Sequence, residues 1–320
     1  MAEPSTYGQS TTASTTAERW SAGRVTNSIY SVQADCEIEI FGPLPNDWVP
    51  DIAAYSARLS VHAWGGHALE RLVIGEIGES LREWLPDEEF RTWEAQLEGR
   101  MTSTGAKAFL AKDGRPTAVV APYTDRLVFL ELVGHEMVEL VLDQRHKQEG
   151  HTVQDRTHAG ASHVLWTEYV AERTRRSIAN ELGWGYSPLE TGLMLDSLRD
   201  FEAELPTLIA AAGTDGGAVQ RAAQYWFDIA RYYCMSLGRA DAGCDPDDRA
   251  QREFRREPLT VESDNGWRDF DGALREAYEL PDRSATELDE LVTDDGWRSL
   301  HDQFRTLFNT RYHEAQRRRP

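Results

Sequence analysis

The spacing of apolar and polar positions changes along the chain, and each change predicts an element. Residues 1–28 are rich in Ser, Thr and Ala with no apolar periodicity, which predicts a disordered tail. Cys36–Gly42, CEIEIFG, alternates as a half-buried strand does. After Pro43, Pro45 and Asn46, Trp48–Ser60 takes up helical spacing. Leu69–Ile77, LERLVIGEI, suits a strand; Ser80–Leu85 and Asp87–Leu97 suit helices separated by Pro86. In Ala106–Pro122 two apolar runs flank Lys112-Asp113-Gly114, and Asp-Gly is a strong hairpin signal. Thr124 is placed to cap a helix that runs to Gln148, with Asp125 in its first turn. Glu149–Ser162 is polar, contains Gly150 and Gly160, and reads as a loop. Val164–Leu182 is a second long helix, ended by Gly183, Gly185 and Pro188. Helical spacing then recurs at 188–204, 205–212, 217–238, 247–256, 268–279 and 298–316. Two of these helices open alike, with Asn265-Gly266-Trp267-Arg268 and Asp295-Gly296-Trp297-Arg298. Two copies do not make a repeat architecture; they predict a Trp packed at each helix start. The expected fold is α+β and mostly helical, with an α+β domain over 29–185 and a helical domain over 186–320.

One element breaks its own pattern. Eleven of the sixteen residues in Leu127–Leu142, LVFLELVGHEMVELVL, are apolar, as in a helix buried on nearly all sides. The exceptions include Glu131, His135, Glu136 and Glu139. At about 100° per residue, Glu131, His135 and Glu139 share an arc of about 80°, which Glu136 widens to about 140°. Buried charges are expensive unless paired or bound to a metal, so the stripe calls for a cation, a proton-transfer role or both.

Composition narrows the classes of function. The chain has 320 residues, 40% hydrophobic, with ten Trp, eleven Tyr and ten Phe, which is enough for a real core. A net charge of −20 argues against nucleic acid or an anionic membrane as partner. The basic run Arg317-Arg318-Arg319 reads as a solvated tail. The first twenty residues lack the apolar core of a secretory signal, and no run reaches membrane-span length. Cys36, Cys234 and Cys244 are too scattered for a disulfide framework. A soluble cytosolic protein with thiols is expected. Nucleotide-binding glycine motifs and a nucleophile-elbow serine are missing from the sequence.

The segment His135-Glu136-x-x-Glu139 resembles the H-E-x-x-H helix of zinc metallopeptidases, with Glu in place of the second His. Residues i and i+4 project from one face, so His135 and Glu139 can ligate one ion while Glu136 reaches a water as general base. Glu168 and Glu172, also four apart, resemble the E-x-x-x-D pattern on the following helix of gluzincin peptidases. The resemblance covers about residues 105–185 and implies a zincin-like α+β domain. By position, Glu168 becomes the third metal ligand and Glu172 the acid that orients His135 through its ring N–H. It also implies a peptidase acting on a peptide or protein, which an edge strand can hold by strand addition. The implied cofactor is one divalent metal, zinc by family. Glu139 adds a second negative charge, which makes the ion a poorer Lewis acid and shifts preference toward iron or manganese. Gly134 predicts a close approach beside His135.

Other readings of the same residues stay open. A polar network of Glu131, His135, Glu139 and Glu168 with Arg173, Arg175 or Arg176 would need no ion, and would suit an interaction or regulatory protein on a degenerate zincin scaffold. Glu131, His135, Glu139, Glu168 and Glu172 could instead serve a dinuclear carboxylate site, for which Asp143-x-x-His146 is the nearest further motif. His146, His151, His158 and His163 cluster between the helices, and His163 is the one best placed to add to the site. Arg231, Tyr232 and Tyr233 are candidates to stabilise an oxyanion.

Overall fold

Apolar runs in the first third of the chain pair into one mixed sheet. The computed structural model describes residues 28–33, 36–66, 69–97, 105–148, 158–185, 203–211, 216–243 and 264–317. Strands β1 (Ser28–Gln33), β2 (Cys36–Phe41), β3 (Arg71–Ile74), β4 (Ala106–Leu110) and β5 (Pro116–Val120) lie in the order β1-β2-β3-β5-β4. The central three, β2, β3 and β5, are parallel, and β1 and β4 flank them antiparallel. β3 and β5 are buried along their whole length, so their sequences run continuously apolar instead of alternating. One face of the sheet, with Ile38, Ile40, Leu72, Ile74, Ala118 and Val120, enters the main core. The other, with Val73, Phe109 and Val119, packs on α2 (Ile77–Trp84) and α3 (Asp87–Leu97). The β4–β5 hairpin turns at Gly114, whose φ of +81° suits glycine alone among common residues.

Between β2 and β3 runs α1 (Val49–Leu59), and β5 leads into α4 (Arg126–Gln148) and α5 (His158–Glu181). Then follow α6 (203–211), α7 (Gly216–Asp241), α8 (Asp264–Tyr278), α9 (Ala285–Val292), a π-helical turn Thr293–Trp297, and α10 (Arg298–Arg317). The molecule is therefore α+β and mostly helical. α4 lies between the sheet and α5, and α5 lies between α4 and α7. One continuous core runs from Ile38 to Phe304 and crosses residue 185. Trp64 joins the early chain to α8 by donating to Tyr278 O at 2.8 Å. Among the described residues no helix is long and apolar enough to cross a membrane.

Several expected boundaries move. The expected strand Leu69–Ile77 is a strand only over Arg71–Ile74, because Glu76 caps α2 by accepting from the Glu79 N–H. Asp125, not Thr124, caps α4: its Oδ1 accepts from the N–H groups of Leu127 and Val128. The expected loop at Glu149–Ser162 is already helical from His158. β1 and α9 were not expected, although Ser284 and Glu287 spell the capping box that opens α9. Trp267 and Trp297 are both buried, as their positions at helix starts suggested. The tail before Ser28, the helix at 247–256 and most of that at 188–204 lie outside the described residues.

Candidate functional site

A helix that is apolar nearly all round has to be buried nearly all round, and α4 is. Of the four polar residues in its stripe, Glu131, His135 and Glu136 are buried and Glu139 is partly exposed. The i, i+4 spacing places His135 and Glu139 one above the other, and α5 faces them with Glu168 and Glu172 at the same spacing. His135 therefore lies among three carboxylates. Its Nδ1 is 3.0 Å from Glu172 Oε1, and its Nε2 is 3.3 Å from both Glu139 Oε1 and Glu168 Oε2. One donor atom each from His135, Glu139 and Glu168 falls within 4.8 Å of the others.

The remaining acids are neutralised by arginines. Glu131 meets Arg239 at 3.0 Å, Arg176 at 3.3 Å and Arg175 at 3.4 Å. Glu172 accepts from Arg175 at 2.6 Å and from Arg239 at 3.1 Å, keeping its other oxygen for His135. Glu131 is thus outside the trio, and Glu172 supports it. Arg175 and Arg176 stood out in the sequence beside Glu172, but Arg239 did not. It arrives from the last turns of α7, where Gly238 permits the approach: a Cβ there would lie 2.5 Å from Tyr169 O. Of the three oxyanion candidates, Arg231 reaches the site, donating to Glu168 Oε1. Tyr233 instead donates to Asp271 at 2.6 Å.

These neighbours set the protonation states. Burial opposes charge on His135, but the charge of Glu139 and hydrogen bonds to Glu139, Glu168 and Glu172 hold its pKa well above the usual value. Burial also opposes charge on Glu139, and the His135 charge and hydrogen bond, with Arg231 and Lys107, outweigh it and bring its pKa down to about 2. Glu172 is kept ionised against burial by Arg175, Arg239 and His135. Glu136 is the opposite case: burial and the Glu139 charge push it up to about 8, against the pull of His135 and Lys107. Adjacent acids on one helix are thus driven apart by several pKa units, a pattern typical of acid–base sites.

Glu136 Oε2 is buried and accepts no hydrogen bond, and Glu168 Oε2 is buried with His135 Nε2, 3.3 Å away and poorly aligned, as its polar neighbour. Solvent approaches on one side: the side chains of Glu139 and Arg231 are 24% and 40% exposed, whereas Glu168 and Glu172 are 2% exposed. Gly134 makes the close approach expected of it, but to protein: the Tyr55 ring lies against it and Tyr55 Oη donates to Gly134 O at 3.2 Å. His163 lies apart from the trio, 3.2 Å from Asp289 on α9, with its ring tilted against that of His146. His151 lies outside the described residues. No family model, curated protein or solved structure matches the chain significantly.

Proposed function

We propose that the chain is a metal-dependent hydrolase, gluzincin-like, acting on a peptide or protein. The observation that carries this reading is the convergence of His135 Nε2, Glu139 and Glu168 within 4.8 Å, with Glu168 Oε2 buried 3.3 Å from His135 Nε2 in a contact too poorly aligned for a good hydrogen bond. A buried carboxylate oxygen left in that state is costly unless a cation or proton meets it. The donor set of one imidazole and two carboxylates fits a divalent ion: zinc by resemblance, iron or manganese by its hardness. Such an ion supplies Lewis acidity, polarising a carbonyl and acidifying water.

The protein's own residues take the other roles. Glu172 accepts the Nδ1–H of His135 and so presents Nε2 to the ion. Glu136, beside His135 on α4 and with a buried oxygen that accepts no hydrogen bond, takes a proton from water and returns it to the leaving amine. Arg231, partly exposed beside Glu168, stabilises negative charge as it develops on the carbonyl oxygen. β4, the edge of the sheet beside α4 among the described residues, holds an extended peptide by strand addition. The zincin-like domain is taken as 29–185 and the helical region 186–320 as the second wall of the cleft.

Metal analysis of chelator-free wild type and His135→Ala tests the reading, with cleavage of a quenched-fluorescent peptide library as the activity. His135→Ala loses one metal equivalent, and Glu136→Gln keeps it while hydrolysis falls by about 10²–10⁴. Equal metal content in His135→Ala sinks the proposal, and full activity in Glu136→Gln removes Glu136 as the base. One observation favours a second reading, a non-catalytic scaffold. Arg175, Arg176 and Arg239 already balance Glu131 and Glu172, and a proton on His135 can balance the rest. A wild type that takes up no ion at His135 favours that scaffold.

A further inference from the structure

We propose that His146, His163 and Asp289 form a second divalent-metal site, separate from the His135 trio, that takes Zn²⁺ and ties α9 to α4 and α5. The three residues come from three helices and offer one donor atom each within 4.8 Å of one another. His146 and His163 are both 5% exposed, with ring centroids 4.0 Å apart. His163 Nδ1 lies 3.2 Å from Asp289 Oδ1, and Trp166 Nε1–H donates to that same oxygen at 2.5 Å. Two imidazoles and a carboxylate match the borderline donors that zinc prefers.

Zinc–nitrogen bonds of about 2.0–2.1 Å put tetrahedral donors roughly 3.4 Å apart, and the three donors here lie within 4.8 Å of one another. Trp166 fixes the aspartate in the way outer partners orient metal ligands. The two sites stay distinct. His146 follows Glu139 by seven residues, about 10 Å along the helix, too far for the roughly 4 Å spacing of a dinuclear centre. The ion would act at a junction already pinned by the hydrogen bond between Ser162 Oγ on α5 and Thr293 Oγ1 after α9.

Full-length protein stripped with chelator and titrated with Zn²⁺ alone tests the site. His135→Ala retains one equivalent, and the His146→Gln/His163→Gln double variant holds one fewer than wild type; Zn²⁺ raises the Tm of His135→Ala but not of the double variant made on the His135→Ala background. Equal zinc uptake by wild type and double variant overturns the proposal, as does no uptake by folded His135→Ala. If the double variant does not fold, Asp289→Asn replaces it, since the amide oxygen still accepts from Trp166. Cobalt(II) added to His135→Ala should then show the visible bands of a low-coordinate site, which Asp289→Asn on the same background weakens; an unchanged or featureless spectrum overturns the assignment. Because the readout does not use the His135 trio, failure of the hydrolase reading leaves a distinct result: one equivalent in wild type, insensitive to His135→Ala.

Discussion

Gly134 shows how much one residue can carry beside the stripe. Alanine is about 1 kcal/mol better than glycine in a helix interior. A Cβ at this position, however, would lie 2.9–3.0 Å from the buried Tyr55 ring. Overpacking of this kind costs about 1–3 kcal/mol. Gly134→Ala is therefore expected to destabilise by up to about 2 kcal/mol in urea unfolding, and to recover stability in a Tyr55→Ala background, where the ring is gone. Cys234 makes a second residue-scale prediction. Burial, with the charges of Glu168 and Asp271, raises its thiol well above the usual range. With Cys36 and Cys244 replaced by Ser, a thiol reagent should label Cys234 only when denaturant opens the fold; rapid labelling of the native protein would contradict this burial.

At the level of elements, the site is a contact between α4 and α5 completed by α7. The apolar faces of α4 and α5 bring two rows of acids together, and mutual repulsion would push them apart. Arg175, Arg176 and Arg239 offset that repulsion, with Arg239 bridging Glu131 on α4 and Glu172 on α5. Breaking a buried ion pair leaves an uncompensated charge and costs about 3–5 kcal/mol. Arg239→Met should fall near the lower end, roughly 3 kcal/mol, because the other two arginines remain. Chemical unfolding reads this directly, and a change within error would mean that α7 is not needed to hold the two rows together. The sequence made α4 and α5 legible because their apolar spacing is long and regular. It did not reveal α9, a short helix whose capping box at Ser284 was its one strong local signal. It also misplaced the start of α5, because Gly160 and the run before Val164 carry no apolar spacing.

For the molecule as a whole, pH dependence gives a test of the core. Burial lifts Asp271 from its ordinary 3.8 to about 6, against the hydrogen bond from Tyr233 and the charge of Arg275, while Asp241 adds to the rise. The folded state then binds this proton more tightly than the unfolded state. Its contribution is therefore favourable below about pH 4 and is lost as pH rises through about 6, with an upper limit of about 3 kcal/mol. Asp271→Asn keeps an acceptor for Tyr233 and removes the titration. Its Tm relative to wild type should rise between pH 4 and pH 7; a pH-independent difference would contradict the assignment.

The sequence by itself determined the fold class, the buried character of α4 and the hairpin before it. These follow from local periodicity, which is written in the order of residues; the pairing of His135 with acids spaced four apart on the next long helix was implied only by the resemblance to gluzincins. Tertiary structure alone decided which acids gather around His135 and which face arginine. Glu131 and Glu139 lie on the same stripe of α4, yet Glu131 meets Arg239 from α7 whereas Glu139 turns toward His135 and solvent. It also decided that His163 joins His146 and Asp289 rather than Glu168. No spacing rule reaches from residue 146 to residue 289. Those partners are chosen by how α5, α7 and α9 pack, because burial makes each charged group depend on whatever the fold brings beside it.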